Sequence, residues 1–144
     1  MATDSISTVL KKKGHEICSV APEATVYDAV ALMTAKRVAA VVVVAEGTLV
    51  GIISARDYGR QVVLAGKSSR DVRVQEIMTT SLVTVTPETT VLEAMTLMTS
   101  HHIRHLPVLR EGELDGVVSM GDLVSEVIAG QAFTIDQLTK YIST

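Results

Sequence analysis

The sequence predicts an α/β (α+β) protein made of two pseudo-symmetric β-α-β-β-α repeats packed as one module, plus a C-terminal helix. Three observations carry this. The chain repeats itself, and in each copy the apolar period switches between strand and helix in the same order. The core must also be aliphatic, because 47% of the 144 residues are hydrophobic while Trp is absent and Phe and Tyr number one and three. A chain of this length buries a sizeable core.

The repeat is the strongest of the three. Shifted by 65 residues, the separation of Pro22 from Pro87, the stretch 17–57 falls on 82–122 without a gap. Pro22, Glu23, Thr25, Val26, Ala29, Leu32, Met33, Val43, Gly47, Leu49, Gly51, Ser54 and Asp57 meet identical residues at Pro87, Glu88, Thr90, Val91, Ala94, Leu97, Met98, Val108, Gly112, Leu114, Gly116, Ser119 and Asp122. Several other pairs exchange one aliphatic residue for another, as Val38 with Ile103 and Ile52 with Val117, so both copies should build the same core.

Each copy opens on a short strand, 17–20 or 82–85, that runs into a Pro-Glu turn. A helix follows. Thr25 with Asp28, and Thr90 with Glu93, have the spacing of a capping box, Asp being the shorter partner. Val26, Ala29, Val30 and Met33, and likewise Val91, Ala94, Met95 and Met98, give each helix one apolar face. A hairpin comes next: 39–45 with 49–54 in the first copy, and 106–109 with 114–118 in the second, where Glu111, Gly112 and Glu113 form the reversing loop. Near-continuous aliphatic strands indicate a sheet covered on both faces. A second helix then runs over 56–64 before Gly66, and over 121–128 before Gly130, with glycine at the C-cap. The polar run 66–73, GKSSRDVR, links the copies. Residues 133–142 form a helix outside the repeat, with Thr134 and Gln137 as a further capping-box candidate. The chain thus divides into an N-terminal segment (1–16), a first repeat (17–65), a linker (66–75), a second repeat (76–130) and the C-terminal helix (131–144).

Composition narrows the function. Net charge is −3 with a pI near 5.8, and no basic run exceeds 11–13, which argues against a nucleic-acid partner. The longest apolar run, 38–45, is strand-sized, so no membrane span is expected. The first residues lack the order of a secretory signal, and the expectation is a soluble cytoplasmic protein. The single cysteine, Cys18, excludes an intrachain disulfide and suits a reducing compartment; it reads as a small buried apolar residue.

Chemistry is expected where the hairpin's last strand turns into a helix. Ser119 ends that strand, and Leu123, Val124 and Val127 recur at helical spacing. A helix start offers unpaired N–H groups and the positive end of the dipole to a phosphate. Ser119 adds a hydroxyl, and Asp122 a carboxylate able to accept from a vicinal diol, as an acidic residue does toward ribose in dinucleotide folds. A plain helix N-cap is the simpler reading of one such turn. The same pattern recurs at Ser54 and Asp57, which strengthens the nucleotide reading.

With these residues assembled, the chain resembles a tandem pair of CBS domains, the cystathionine β-synthase type of regulatory module. The likeness covers about 17–130. It rests on Val20-Ala21-Pro22 with Thr25-Val26 and Ala29, on Gly47 with Gly51-Ile52-Ile53-Ser54 and Asp57, and in the second copy on Ile77-Met78-Thr79, Ile103-Arg104-His105-Leu106-Pro107-Val108, and Gly116-Val117-Val118-Ser119 with Asp122.

The resemblance implies a regulatory, signal-transducing binding module with no catalytic cofactor. Its ligand would be an adenosine-containing nucleotide, AMP foremost, with NAD, ADP, ATP or S-adenosylmethionine as others, held in clefts between the copies. On matching positions, Asp122 and Asp57 would hold ribose and Ser119 and Ser54 would meet phosphate. Thr84 and Ser19, with Ile77 and Met78, would frame adenine. His101, His102, Arg104 and His105, and Lys36 and Arg37 in the first copy, would lie near phosphate, where an Arg can clamp two oxygens. The second copy also carries Pro107 and Arg104-His105 where the first has Val42 and Ala39-Ala40, so its site is the preferred one. A homodimer through the CBS helices and a separate effector protein are implied as partners, with energy or redox sensing by population shift as the mechanism.

Two other readings rank lower. His101, His102 and His105 suggest a metal, but Pro107 biases the chain away from the helix that would align them. An enzyme would need a nucleophile, base and orienting acid converging in sequence, and none does. A protein-interaction scaffold without a nucleotide is the remaining alternative.

Overall fold

The computed structural model describes residues 4–143, apart from the side chains of 132–138 and 140–143. In chain order its elements are α1 (Ile6–Lys13), β1 (Ser19–Val20), α2 (Val26–Lys36), β2 (Ala40–Ala45), β3 (Thr48–Ser54), α3 (Ala55–Tyr58) continued by a π-helical stretch (Gly59–Val63), α4 (Val74–Ile77), α5 (Val91–His101), β4 (His105–Arg110), β5 (Glu113–Ser119) and α6 (Met120–Ser143). They form two compact units. One is Glu16–Leu82; the other joins Met1–His15 to Val83–Thr144.

In the first unit β1 lies parallel to β2, and β2 antiparallel to β3. The hairpin reverses over Glu46 (φ 50°) and Gly47 (φ 77°), two left-handed residues between paired Ala45 and Thr48. That is the two-residue turn whose twist suits a hairpin, and its second position falls to glycine. The second unit repeats it at Glu111 (φ 51°) and Gly112 (φ 80°). Glu113 therefore belongs to β5, paired with Arg110, and the expected three-residue loop is one residue shorter. Each hairpin slips register by one residue, between Val43 and Val44 and between Val108 and Leu109, a bulge that increases local twist.

The first core gathers Val26, Ala29 and Met33 of α2 with Val41, Val43, Ile53 and Val62. It also takes in Val72, Val74 and Ile77. The stretch 66–75, expected as a polar linker, thus contributes core residues. It also completes the start of α2: Val26 N–H donates to Val72 O (2.9 Å) and Tyr27 N–H to Ser69 O (3.0 Å), while Asp28 N–H donates to Thr25 Oγ1 (3.1 Å). Three of the unpaired donors at the helix start are satisfied in this way.

The second unit does the same with the chain's first residues. Val91 N–H, at the start of α5, donates to Asp4 O (2.8 Å), and Ile6 N–H donates to Thr89 O (2.8 Å). Ile6, Val9 and Leu10 of α1 are buried among Val91, Ala94, Met98, Leu106, Val118 and Leu123. Asp4 and Ile6 stand here where Val72 and Val74 stand in the first unit. The correspondence runs at a shift of 68, the separation of Ile6 from Val74, against 65 in the body of the repeat.

Several expected elements take another form. The strand expected at 82–85 is reduced to one bridge, Val85 with Val108. In the first unit Val42 N–H donates to Cys18 O (3.1 Å); its counterpart Pro107 has no N–H to give, and one rung of the ladder is lost. The strand at 17–20 shortens to Ser19–Val20. The helix expected over 56–64 turns π-helical after Tyr58. Gly66 takes φ 72° at the end of that segment, whereas Gly130 does not stop its helix: α6 runs unbroken from Met120 to Ser143, uniting the two helices expected at 121–128 and 133–142. Thr134 and Gln137 fall inside α6, not at its start, and their side chains lie outside the described residues. Of the other two proposed capping boxes, Thr90 and Glu93 make the full reciprocal pair, while the shorter Asp28 leaves Thr25 with one bond. Among the described residues no helix is long and apolar enough to cross a membrane.

Candidate functional site

The two S-x-x-D turns close in the same way. In the second unit Ser119 N–H donates to Asp122 Oδ2 (2.8 Å), and Asp122 N–H donates back to Ser119 Oγ (3.1 Å). In the first, Ser54 N–H donates to Asp57 Oδ2 (2.9 Å), Asp57 N–H donates to Ser54 Oγ (3.1 Å), and the Ser54 hydroxyl donates to the same Oδ2 (3.0 Å). Both turns are thus reciprocal helix caps. The simpler reading of these serines is correct as local structure, and it fixes each carboxylate at a helix start.

Their surroundings differ. Asp57 is buried, and Arg60 Nη2 stands 3.7 Å from its Oδ1. Asp122 is a quarter exposed and meets Lys13 Nζ at 2.6 Å. Lys13 also donates to Val117 O (2.7 Å). Burial alone would raise the Asp122 carboxyl. The hydrogen bonds from Lys13 and Ser119, together with the Lys13 charge, outweigh that and hold it below the usual carboxylate range.

His105 and Arg104 belong to this neighbourhood. His105 pairs across the hairpin with Ser119, and the Arg104 carbonyl accepts from Met120 N–H (2.9 Å), the first residue of α6. The His105 imidazole is pushed below its ordinary value by burial first, then by the Lys13 and Arg104 charges, with Asp122 opposing. The neutral imidazole is thereby favoured. The same places in the first unit hold Ala39 and Ala40, with Ala40 paired to Ser54 and Ala39 O accepting from Ala55 N–H. The cationic and imidazole pair beside one turn is thus an alanine pair beside the other.

The remaining expected residues fall elsewhere. Ile77 and Met78, taken from the sequence as a lead-in to the second copy, belong to the first unit: Ile77 is in its core, and Met78 packs over Gly51, where an added Cβ would lie 2.7 Å from its Sδ. Ser19 and Thr84 are exposed, Ser19 paired with Val42. Pro107 is buried in β4, and its carbonyl accepts from Val85 N–H (3.1 Å). His101, His102, Lys36 and Arg37 are exposed at the C-terminal ends of α5 and α2, where positive charge complements the dipole. His102 and Arg37 take the left-handed C-cap, and Lys36 pairs with Glu16 (2.9 Å). Lys13 is the residue that sequence reasoning missed. It lies before the repeat begins, and its meeting with Asp122 spans 109 positions.

Known proteins show the same organisation. The CBS domain family matches residues 13–59 and 74–129. The mitochondrial CBS domain-containing protein CBSX3 of Arabidopsis thaliana is 44% identical over 96% of this chain and 71% of its own length. The CBS domain-containing protein YhcV of Bacillus subtilis is 33% identical over 90% and 94%. Among solved structures, a CBS-domain protein of Burkholderia ambifaria ascribed to signal transduction superposes with a TM-score of 0.85 at 45% identity, over 88% of this chain and 96% of that one. With two matched copies, each closing on its own S-x-x-D turn, the chain belongs to the CBS domain family and carries the domain in tandem.

Proposed function

We propose that this chain is a regulatory module, not an enzyme, that binds an adenosine-containing nucleotide at the turn between β5 and α6 and signals to a separate effector protein by conformational change. AMP is the first choice of ligand, with NAD, ADP and ATP behind it. The observation that supports this reading is the turn itself: a carboxylate able to take a ribose diol, fixed at a helix start, with Lys13 against it to meet phosphate. Thr84 is the outward residue of the second unit proposed to frame adenine. The first unit's Ser54 and Asp57 make a second, less cationic candidate. A nucleotide shifts a regulatory equilibrium only by its differential affinity for two states, so the effector must read a conformation that the ligand prefers.

A homodimer through the helices is part of the proposal. Tyr27 of α2 and Leu92 of α5 are exposed at matching repeat positions, as are Val63 and Ile128, and large apolar side chains held in water favour a partner. Cytoplasmic residence is proposed on the lone Cys18.

The test begins with denaturing the purified protein and identifying any nucleotide released. Stripped protein is then heated with AMP, ADP, ATP, NAD, NADH or S-adenosylmethionine. A ligand that binds only the folded state adds about 2.7 kcal/mol at a hundred times its Kd. A shift with an adenosyl ligand that Asp122→Ala abolishes supports the proposal. No shift with any of them leaves a scaffold whose surface is the functional part.

A further inference from the structure

Lys13 is the last residue of α1, and its Nζ is held between Asp122 Oδ2 and Val117 O. In the first unit the matching carbonyl, Ile52 O, accepts instead from the Thr79 backbone N–H at 2.9 Å. At this edge one unit meets a neutral amide and the other an ammonium.

The rest of α1 keeps that charge in place. Ile6 and Leu10 are fully buried, the backbone before and at the start of α1 is hydrogen-bonded to the start of α5, and Lys12 bonds the buried Glu126 at 2.8 Å. The stem of Lys13 is rooted while its head, about one-third exposed, can turn. Asp122 is the carboxylate that Lys13 meets, and both lie close enough to His105, across the hairpin from Ser119, to influence its charge.

A ribose diol that takes both oxygens of the Asp122 carboxylate competes with Lys13 for Oδ2. A neutral nucleoside would leave the ammonium without its counter-ion. A phosphate would supply a new anionic partner and a charge-assisted hydrogen bond. We propose that Lys13 makes the second unit's site selective for phosphorylated adenosyl ligands, exchanging Asp122 for phosphate when the nucleotide enters. This rests on the nucleotide reading above and narrows its ligand class: adenosine is disfavoured, and so is the cationic S-adenosylmethionine. The first unit, with Ala39 and Ala40 in place of Arg104 and His105, does not make this selection.

The experiment is calorimetric titration of the full chain with AMP and with adenosine, for the wild type, Lys13→Met and Lys13→Arg. The expected wild type binds AMP about tenfold more tightly than adenosine or better, as one charge-assisted contact allows. Lys13→Met loses about tenfold toward AMP while adenosine is held or tightened, and Lys13→Arg keeps the preference. Lys13→Gln replaces Lys13→Met should that variant fail to fold. Equal binding of AMP and adenosine by the wild type, or an unchanged preference in Lys13→Met, overturns the inference. So does tighter AMP binding in Lys13→Met, which would make Lys13 only a plug on Asp122. In those cases the nucleotide reading survives. No binding of AMP, adenosine, NAD or ATP overturns the nucleotide reading itself.

Discussion

Leu10 does for Gly116 what Met78 does for Gly51: each side chain closes over the glycine in the second strand of its hairpin. A Cβ added at Gly116 would stand 2.9 Å from Leu10 Cδ2, and one at Gly51 2.7 Å from Met78 Sδ and 3.1 Å from the Thr79 carbonyl. The two glycines are thus places of close packing with ordinary backbone angles. Leu10 comes from the chain's first helix and Met78 from the segment between the repeats, so each unit is finished by residues that precede its own repeat or follow it.

Gly116→Ala and Gly51→Ala should each lose about 1–3 kcal/mol by overpacking, read from denaturant midpoints. Gly59→Ala is the control. No atom lies within 4 Å of its added Cβ, and its backbone is right-handed helical, so it should hold or gain about 0.5–1 kcal/mol.

Leu10→Ala should cost about 2–5 kcal/mol, the range for emptying a leucine site in a packed core. Hydrogen exchange should show faster opening of β5 and α5, which share that core, with β2 and β3 unchanged. Equal loosening of both sets would mean that α1 does not belong to the second unit.

Much of this was legible in the sequence, and the failures have physical causes. The hairpins, the helix faces and the turns Ser54–Asp57 and Ser119–Asp122 follow from local period and capping chemistry, so the 65-residue shift exposes them. The lead-in helices do not, because DSISTVL and VRVQEIM share only the spacing of apolar positions and align at a shift of 68. GKSSRDVR reads as polar, yet Val72 at its end is buried. Pro107 could have foretold the lost strand, since a proline N gives no rung to the ladder. Gly130 has the sequence position of a helix stop, but a single glycine costs a helix interior only about 1 kcal/mol, and α6 runs through it. Lys13 carries no motif, and only the packing of α1 brings it to Asp122.

Stability should fall as pH drops from 7 to 5.5. The His105 pKa is lowered in the folded state from its ordinary 6.5, so below that value the unfolded chain binds a proton that the folded one resists, and unfolding is favoured. His105→Gln should flatten this slope in denaturant titrations; an unchanged slope would remove His105 as its source. Asp122, lowered as well, contributes stability above the ordinary carboxylate value near 3.8 and loses it as pH falls through its folded pKa.

Thr90→Ala and Thr25→Ala each remove one cap acceptor, Thr90 Oγ1 from Glu93 N–H and Thr25 Oγ1 from Asp28 N–H, while the bond from the Thr90 backbone N–H to Glu93 Oε1 survives the first. Each should cost about 1 kcal/mol. Thermal unfolding of the two variants side by side checks that the losses match.

The most direct test of the central claim is equilibrium binding of AMP to stripped protein, comparing wild type with Asp122→Asn and Asp57→Asn after each is shown to be folded. Saturable binding that weakens about tenfold or more in Asp122→Asn, and less in Asp57→Asn, is the expected result. Binding that Asp122→Asn leaves unchanged, or no binding by the wild type, would contradict it.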